Sequence, residues 1–345
     1  TSLACMPNTE PPNDSRAVTE KILDIAERVS LARVYPVAAI TVGQAGERLT
    51  DFAKLREAGA VAVSDDGRPV VDSGLMRKAM EHALGVRLPV ISHCEDPGLS
   101  RGGVMHEGAV SARLGLQGIP AASEEIMVFR DIALAGLTGA PVHIAHVSTR
   151  GSVGLIERAK DAGIPVTAET APHYFTLDHH AVMGYNAREK VTPPLRTQDD
   201  VRAIKEGLAR GVIDVIATDH APHSRLEKDV EFEKAAFGLI GLQSLLPLTL
   251  ELVREGVLEL DDAVKKLTCN PAEILGIPGG TLEEGNPADL ALVDMSVEYE
   301  FREEDILSKS KNSPFFGRIM KGRNELTMVG GKIVWERAVA HSRRG

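Results

Sequence analysis

Histidines and carboxylates recur at a handful of places in this sequence: Asp65-Asp66, His93 with Glu95 and Asp96, His143 with His146, His173, and Asp219 with His220 and His223. Asn8 joins them near the start. Imidazole nitrogens combined with carboxylate oxygens suit a borderline divalent ion such as zinc, and an incompletely filled coordination sphere leaves room for a reactive water. Taken singly, each residue has a plainer reading. A histidine at a strand end is usually a hydrogen-bonded polar residue, and an aspartate there usually shapes a turn.

The elements that carry these residues decide whether they meet. Seven short runs present them toward their C-terminal ends: SLACMPN (2–8), VYPVAAIT (34–41), AVAVSDD (60–66), LPVISHCED (88–96), PVHIAHVST (141–149), IPVTAETAPH (164–173) and IDVIATDHAPH (213–223). Between them lie amphipathic stretches such as 15–32, 72–85 and 153–163, with apolar residues at spacings of three and four and with Gly85 and Gly163 placed as C-terminal caps. Strands alternating with helices imply a parallel sheet covered by helices. A doubly wound sheet is disfavoured because no GxGxxG follows the first run. The expected fold is α/β, a (β/α)8 TIM-type barrel whose strand ends share one mouth. Seven strands are one short, and the chain opens in mid-strand, so the first barrel strand is expected upstream of Thr1.

After Ile277 the texture changes to short strands broken by Gly, Asn and Pro, with at most one turn near 302–307. The expected division is a truncated barrel over 1–278 and a small β-sandwich portion with a tail over 279–345, HSRRG at its end being solvated.

Strand alternation gives further expectations. His143 and His146 are three apart and face opposite sides in a regular pleat, so His146 should point into the barrel and His143 outward. One of Asp65 and Asp66 should point inward while the other bonds the turn at Gly67; the pattern leaves open which. Asp219 and His223 share a side if the strand stays regular that far, but Pro222 marks its end. The charged stretch 223–238 reads as a solvent-facing lid.

Bulk composition narrows the partners. A net charge of -10 with both signs mixed along the chain leaves no basic stripe for nucleic acid. Three scattered cysteines, Cys5, Cys94 and Cys269, point to a reducing compartment, the cytoplasm. The longest apolar stretch, 237–253, is interrupted by Gln243, Ser244 and Pro247 and makes a poor membrane span.

Seven motifs in order, ACMPNT, SDDG, HCED, HIAHVST, PPLR, ATDHAPH and GLQSLLP, resemble the bacterial dihydroorotases of the amidohydrolase superfamily, and the likeness extends through CNPAEILGI into the C-terminal strands. The resemblance implies a zinc enzyme of pyrimidine biosynthesis, with two ions when intact, that interconverts dihydroorotate and N-carbamoyl-L-aspartate. It implies that Asp66, His93, His146 and Asp219 bind metal, that Asp219 shuttles a proton, and that Asn8, Thr192 and His223 contact substrate. It also implies a homodimer, in some members associated with aspartate transcarbamoylase. The sequence departs from the family at two points. The HxH pair and following arginine of the first barrel strand are not in it, so this chain taken alone is expected to be inactive, and Thr192 stands where the family usually has asparagine. A non-catalytic subunit scaffolding aspartate transcarbamoylase is the alternative. Hydantoinases and dihydropyrimidinases rank lower, because they bridge their metals with a carboxylated lysine where this sequence reads VAVSDDG.

Overall fold

Nine short strands arise along the first two thirds of the chain: β1 (Ser2–Cys5), β2 (Arg33–Ala38), β3 (Ala62–Val63), β4 (Val90–Ser92), β5 (Met105–His106), β6 (Gly118–Ile119), β7 (Val142–Ile144), β8 (Val166–Thr170) and β9 (Val215–Ile216). In this computed structural model, which describes residues 1–337, seven of them form one curled parallel sheet in the order β1-β2-β3-β4-β7-β8-β9. The order never reverses. A doubly wound sheet would reverse at its switch point, so the monotonic order is that of a barrel wall. The β5–β6 pair stands apart as a parallel ribbon.

Alternation along the strands divides the core in two. Ala38, Val63, Val90, Val142, Ile144, Val166, Ala168 and Ile216 point outward and pack under the helices with Met76, Met80, Val128, Ile132, Ile156 and Ile204. Their neighbours Val37, Ala62 and Ile91 point to the concave side and meet Ala145, Met6 and Leu275. Each fully buried aliphatic chain on the outer layer contributes roughly 1.5–3 kcal/mol relative to exposure.

The helices begin and end for local reasons. Asp72 accepts from the Leu75 amide and starts the helix Ser73–Gly85; Thr149 accepts from the Ser152 amide and starts Arg150–Asp161. Gly163, at φ 73°, ends the second as expected. Gly85 does not cap: it is the last helical residue, Val86 follows as cap, and Arg87 takes the left-handed turn at φ 56°. No helix among the described residues is long and apolar enough to cross a membrane.

Beyond the barrel wall, β10 (Leu290–Glu300), β11 (Ile319–Val329) and β12 (Lys332–Glu336) form an antiparallel sheet. The connection between β10 and β11 returns to the barrel, where Phe301, Ile306 and Phe315 join the outer core. Arg33 on β2 makes an ion pair with Asp289, just before β10, and Arg318, just before β11, makes one with Glu251 at 2.7 Å, so the small sheet is tied to the barrel at its β10 edge and at its central strand. The HSRRG tail lies outside the described residues.

Candidate metal centre

β3, β4 and β9 stop just before Asp65, His93 and Asp219, which therefore sit on the turns that leave the sheet. After β3, Asp65 is 3% exposed and accepts from the amide of Thr41 at 3.1 Å and from its hydroxyl. Gly67 supplies the left-handed φ of 73° that turns the chain away. Asp65 is thus a structural anchor, and Asp66 faces the mouth, where its Oδ2 accepts from Asn8 Nδ2 at 3.0 Å.

After β4, Ser92 and Cys94 turn outward to the fully buried Asp131, which accepts from Ser92 Oγ at 2.6 Å and pairs with Arg130 at 2.7 Å. His93, between them, is forced inward. Its Nδ1 lies 2.8 Å from Nε2 of His146, and its Nε2 lies 3.8 Å from Glu95. Asp96 is no part of this cluster: it caps the short helix Pro97–Ser100 by accepting from the Gly98 amide at 2.7 Å.

His146 reaches the site by leaving the β geometry. Its φ is 37°, a left-handed conformation that costs a non-glycine residue roughly 1–2 kcal/mol. Buried bonds hold the turn that follows: Glu124 accepts from the amides of Ser148 and Thr149 at 3.1 Å each, while Arg196 donates to Ser148 Oγ at 3.0 Å and to the Ile119 carbonyl at 3.0 Å. This break in the pleat corrects the expectation for His143. Alternation holds up to Ile144, so His143 points into the barrel, 2.8 Å from Thr167 Oγ1 and 3.2 Å from Glu169. His146 is inward only because the strand has ended.

Asp219 follows β9 with the same left-handed backbone, φ 43°, and its Oδ2 lies 3.6 Å from Nε2 of the buried His173. Thr192 Oγ1 donates to Glu95 at 2.7 Å, and Ser100 donates to the other oxygen of the same carboxylate at 2.7 Å. His223 lies 3.5 Å from Glu227, and His220 is engaged by the Gly241 amide at 3.1 Å. The structure therefore gathers Asp66, His93 and His146, with Asn8 against Asp66, sets Asp219 beside His173, and places Thr192 and His223 on adjoining loops. Residue types alone gave no role to Glu95, Glu169 or the Glu124–Arg196 pair. Glu169 had a period-2 signal, since it alternates with Ala168 and Thr170 along β8; Glu124 sits on a helix and had none.

The electrostatics are those of buried acids and imidazoles crowded together. Burial raises the Asp66 carboxyl, with Glu169 adding to the rise and His93 opposing it. Burial, then the charges of Asp66 and Glu169, push Asp219 up to about 7. Burial holds His173 down to about 3 and, with His93 nearby, lowers His146 far below the imidazole range. For His93, burial alone would lower the value, but Glu95, Asp66 and Asp219 outweigh it and raise the imidazole. Burial opposes ionisation of Glu95, yet bonds from His93, Thr192 and Ser100 bring it down to about 2.

A divalent cation fits this arrangement. One donor atom from each of Asp66, His93 and His146 lies within 4.8 Å of the other two. Nδ1 of His146 and Nε2 of His173 are buried with no hydrogen-bond partner among the described residues, a costly state for a polar nitrogen. Neutral imidazoles and like-charged carboxylates form the donor set that a zinc-like ion neutralises.

A family model described as Dihydro-orotase-like matches residues 1–152. The chain is 53% identical over 337 residues to a dihydroorotase of Geotalea daltonii, covering 98% of this chain and 79% of the relative. It is 55% identical over 337 residues to a dihydroorotase of Syntrophobacter fumaroxidans, covering 98% and 77%. Among solved structures, an L-hydantoinase (dihydropyrimidinase) from Arthrobacter aurescens superposes with a TM-score of 0.87 at 25% identity, covering 98% of this chain and 78% of that one. A D-hydantoinase does so at 0.80 and 21%, covering 98% and 77%, a likeness of fold.

Proposed function

We propose a function from one premise: this chain belongs to the dihydroorotase family of cyclic amidohydrolases. Its reaction is the interconversion of dihydroorotate and N-carbamoyl-L-aspartate, a step of pyrimidine biosynthesis. The observation that carries the reading is the convergence of Asp66, His93 and His146 at one mouth, in a chain more than half identical to dihydroorotases. These three would hold a zinc ion, and Asp219 would ligate a second. A bound ion supplies Lewis acidity, polarising a carbonyl and bringing the pKa of water from ~15.7 toward ~7.

The protein's own groups do the rest. Asp219 would take the proton from the attacking water. As the ring carbon–nitrogen bond breaks, it returns that proton to the leaving nitrogen, and the carbonyl carbon becomes the new carboxylate. Asn8 and His223 flank the ring. Thr192 spends its hydroxyl proton on Glu95, so its lone pairs face the substrate as acceptors for an N–H. Besides water, the reaction takes one small-molecule substrate, and a homodimer, alone or with aspartate transcarbamoylase, is the assembly we propose.

The test is turnover of dihydroorotate, hydantoin and dihydrouracil in parallel by the zinc-loaded full-length gene product, which would carry the HxH strand that this sequence lacks. Ring opening of dihydroorotate in preference to the others is expected, and Asp219→Asn should lower kcat by roughly 10²–10⁴-fold. Preference for hydantoin or dihydrouracil would overturn the substrate. Zinc binding without turnover of any of the three would point to a scaffolding subunit.

A further inference from the structure

Two lysines near the site are almost wholly buried, Lys190 at 2% exposed and Lys228 at 4%, and have no carboxylate partner among the described residues. Their amines cross between two loops. Lys228 lies in the loop 224–237 and donates to the carbonyls of Ala187 at 2.8 Å, Ala236 at 2.7 Å and Lys190 at 3.3 Å, which uses all three of its protons. Lys190 lies on the facing turn and donates back into the loop, to the carbonyls of Phe232 at 2.8 Å and Glu233 at 2.9 Å. Its ammonium also sits over the Phe237 ring at 4.5 Å and the Phe232 ring at 5.5 Å.

The loop that they fasten is closed at its neck beside His223. Ala221 donates to Leu239 at 2.8 Å, and the buried Asn312 amide donates to Ala221 and Gly238 on the two sides of the neck, at 3.0 and 3.2 Å. Gly238 has φ 126°, and a Cβ there would lie 3.1 Å from His223 Nε2 and 2.6 Å from the Ala221 Cβ. The turn that bears Lys190 continues within two residues to Thr192, and Gly238 donates to the Lys190 carbonyl at 2.9 Å. The loop's one large buried apolar side chain is Phe232, which joins Val104, Met105, Val110 and Val182. Among the described residues, every hydrogen bond between loop 224–237 and turn 187–190 comes from one of the two ammoniums.

We infer that Lys190 and Lys228 are positioning residues: crossed, buried ammonium–carbonyl bonds lock loop 224–237 to turn 187–190 and so set the spacing between His223 and Thr192 across the substrate. The inference rests on the reading of those two residues as substrate contacts. Loosening the lock leaves the catalytic carboxylate in place and spoils the grip on the ring, so it acts on KM.

Lys228→Met and Lys190→Met in the metal-loaded full-length gene product test this. Each keeps the length and apolar stem of the side chain and removes the bonds. With dihydroorotate, KM is expected to rise about tenfold with kcat kept within about twofold, the scale of a lost charged hydrogen bond. Chymotrypsin should cut faster at Phe232 and Phe237 in both variants. A role in stability alone would lower the melting temperature and the active fraction, which reduces apparent kcat and leaves KM unchanged. An unchanged KM in both variants, or failure of both to fold, would overturn the inference. No turnover by the wild type in the same assay would instead count against the dihydroorotase reading.

Discussion

Asp65 and Asp66 are adjacent in sequence and opposite in duty. Asp65 is held by the Thr41 amide and hydroxyl inside the wall, and Asp66 looks into the mouth with Asn8 on one oxygen. Asp65→Ala should lower stability by about 1–3 kcal/mol, the cost of leaving buried donors unpaired, with zinc content unchanged by plasma mass spectrometry. Asp66→Ala should reduce bound zinc and, compared metal-free, leave the unfolding transition near that of the wild type. The reverse pattern would exchange their roles. At this scale the residue types were legible in the sequence: imidazoles and carboxylates at strand ends are a pattern that one-dimensional reading can find. Their directions were not. Alternation fails wherever a strand ends early; His146 and Asp219 both take left-handed backbone, and the Glu124 and Arg196 bonds that hold the turn after His146 leave no local signal. His143 was expected outward for that reason and instead points inward toward Glu169.

The elements were more legible than their ends. All seven β runs became strands of one sheet, because a β-branched run under a helix has few other ways to bury both faces. The stretch 223–238 was legible as solvent-facing, most of its residues from 224 to 234 being exposed. Leu226 does project into solvent, but Lys228 turns inward onto three carbonyls, and neutralising an ammonium with carbonyls has no sequence signature. Beside it, Glu189 has one buried carboxylate oxygen without a partner among the described residues, and burial pushes its carboxyl up to about 7, with Asn186 opposing. The ordinary value is 4.5. The folded state thus binds this proton more tightly than the unfolded one. The penalty of the ionised group is fully present above the folded value and disappears as pH falls toward the unfolded one. Glu189→Gln should therefore raise the melting temperature at about pH 8 and change it little at about pH 5. An equal shift at both would mean that the carboxyl titrates normally.

At the scale of the molecule, the monotonic parallel sheet explains why residues as far apart in sequence as Asn8 and His223 share one mouth: every strand delivers its C-terminal end to the same rim. The seven-strand count and the C-terminal sheet were legible from periodicity and turn residues. The return of Phe301, Ile306 and Phe315 to the barrel core was not, because a single apolar residue in a loop does not say which layer it joins. The central claim is that the Asp66, His93 and His146 donors hold the ion on which ring opening depends. Anomalous diffraction from zinc-grown crystals, measured on both sides of the zinc absorption edge, tests it most directly. The expected result is a zinc peak among the Asp66 carboxylate and the His93 and His146 imidazoles; a map with no peak there, or with zinc bound only elsewhere on the chain, would contradict it.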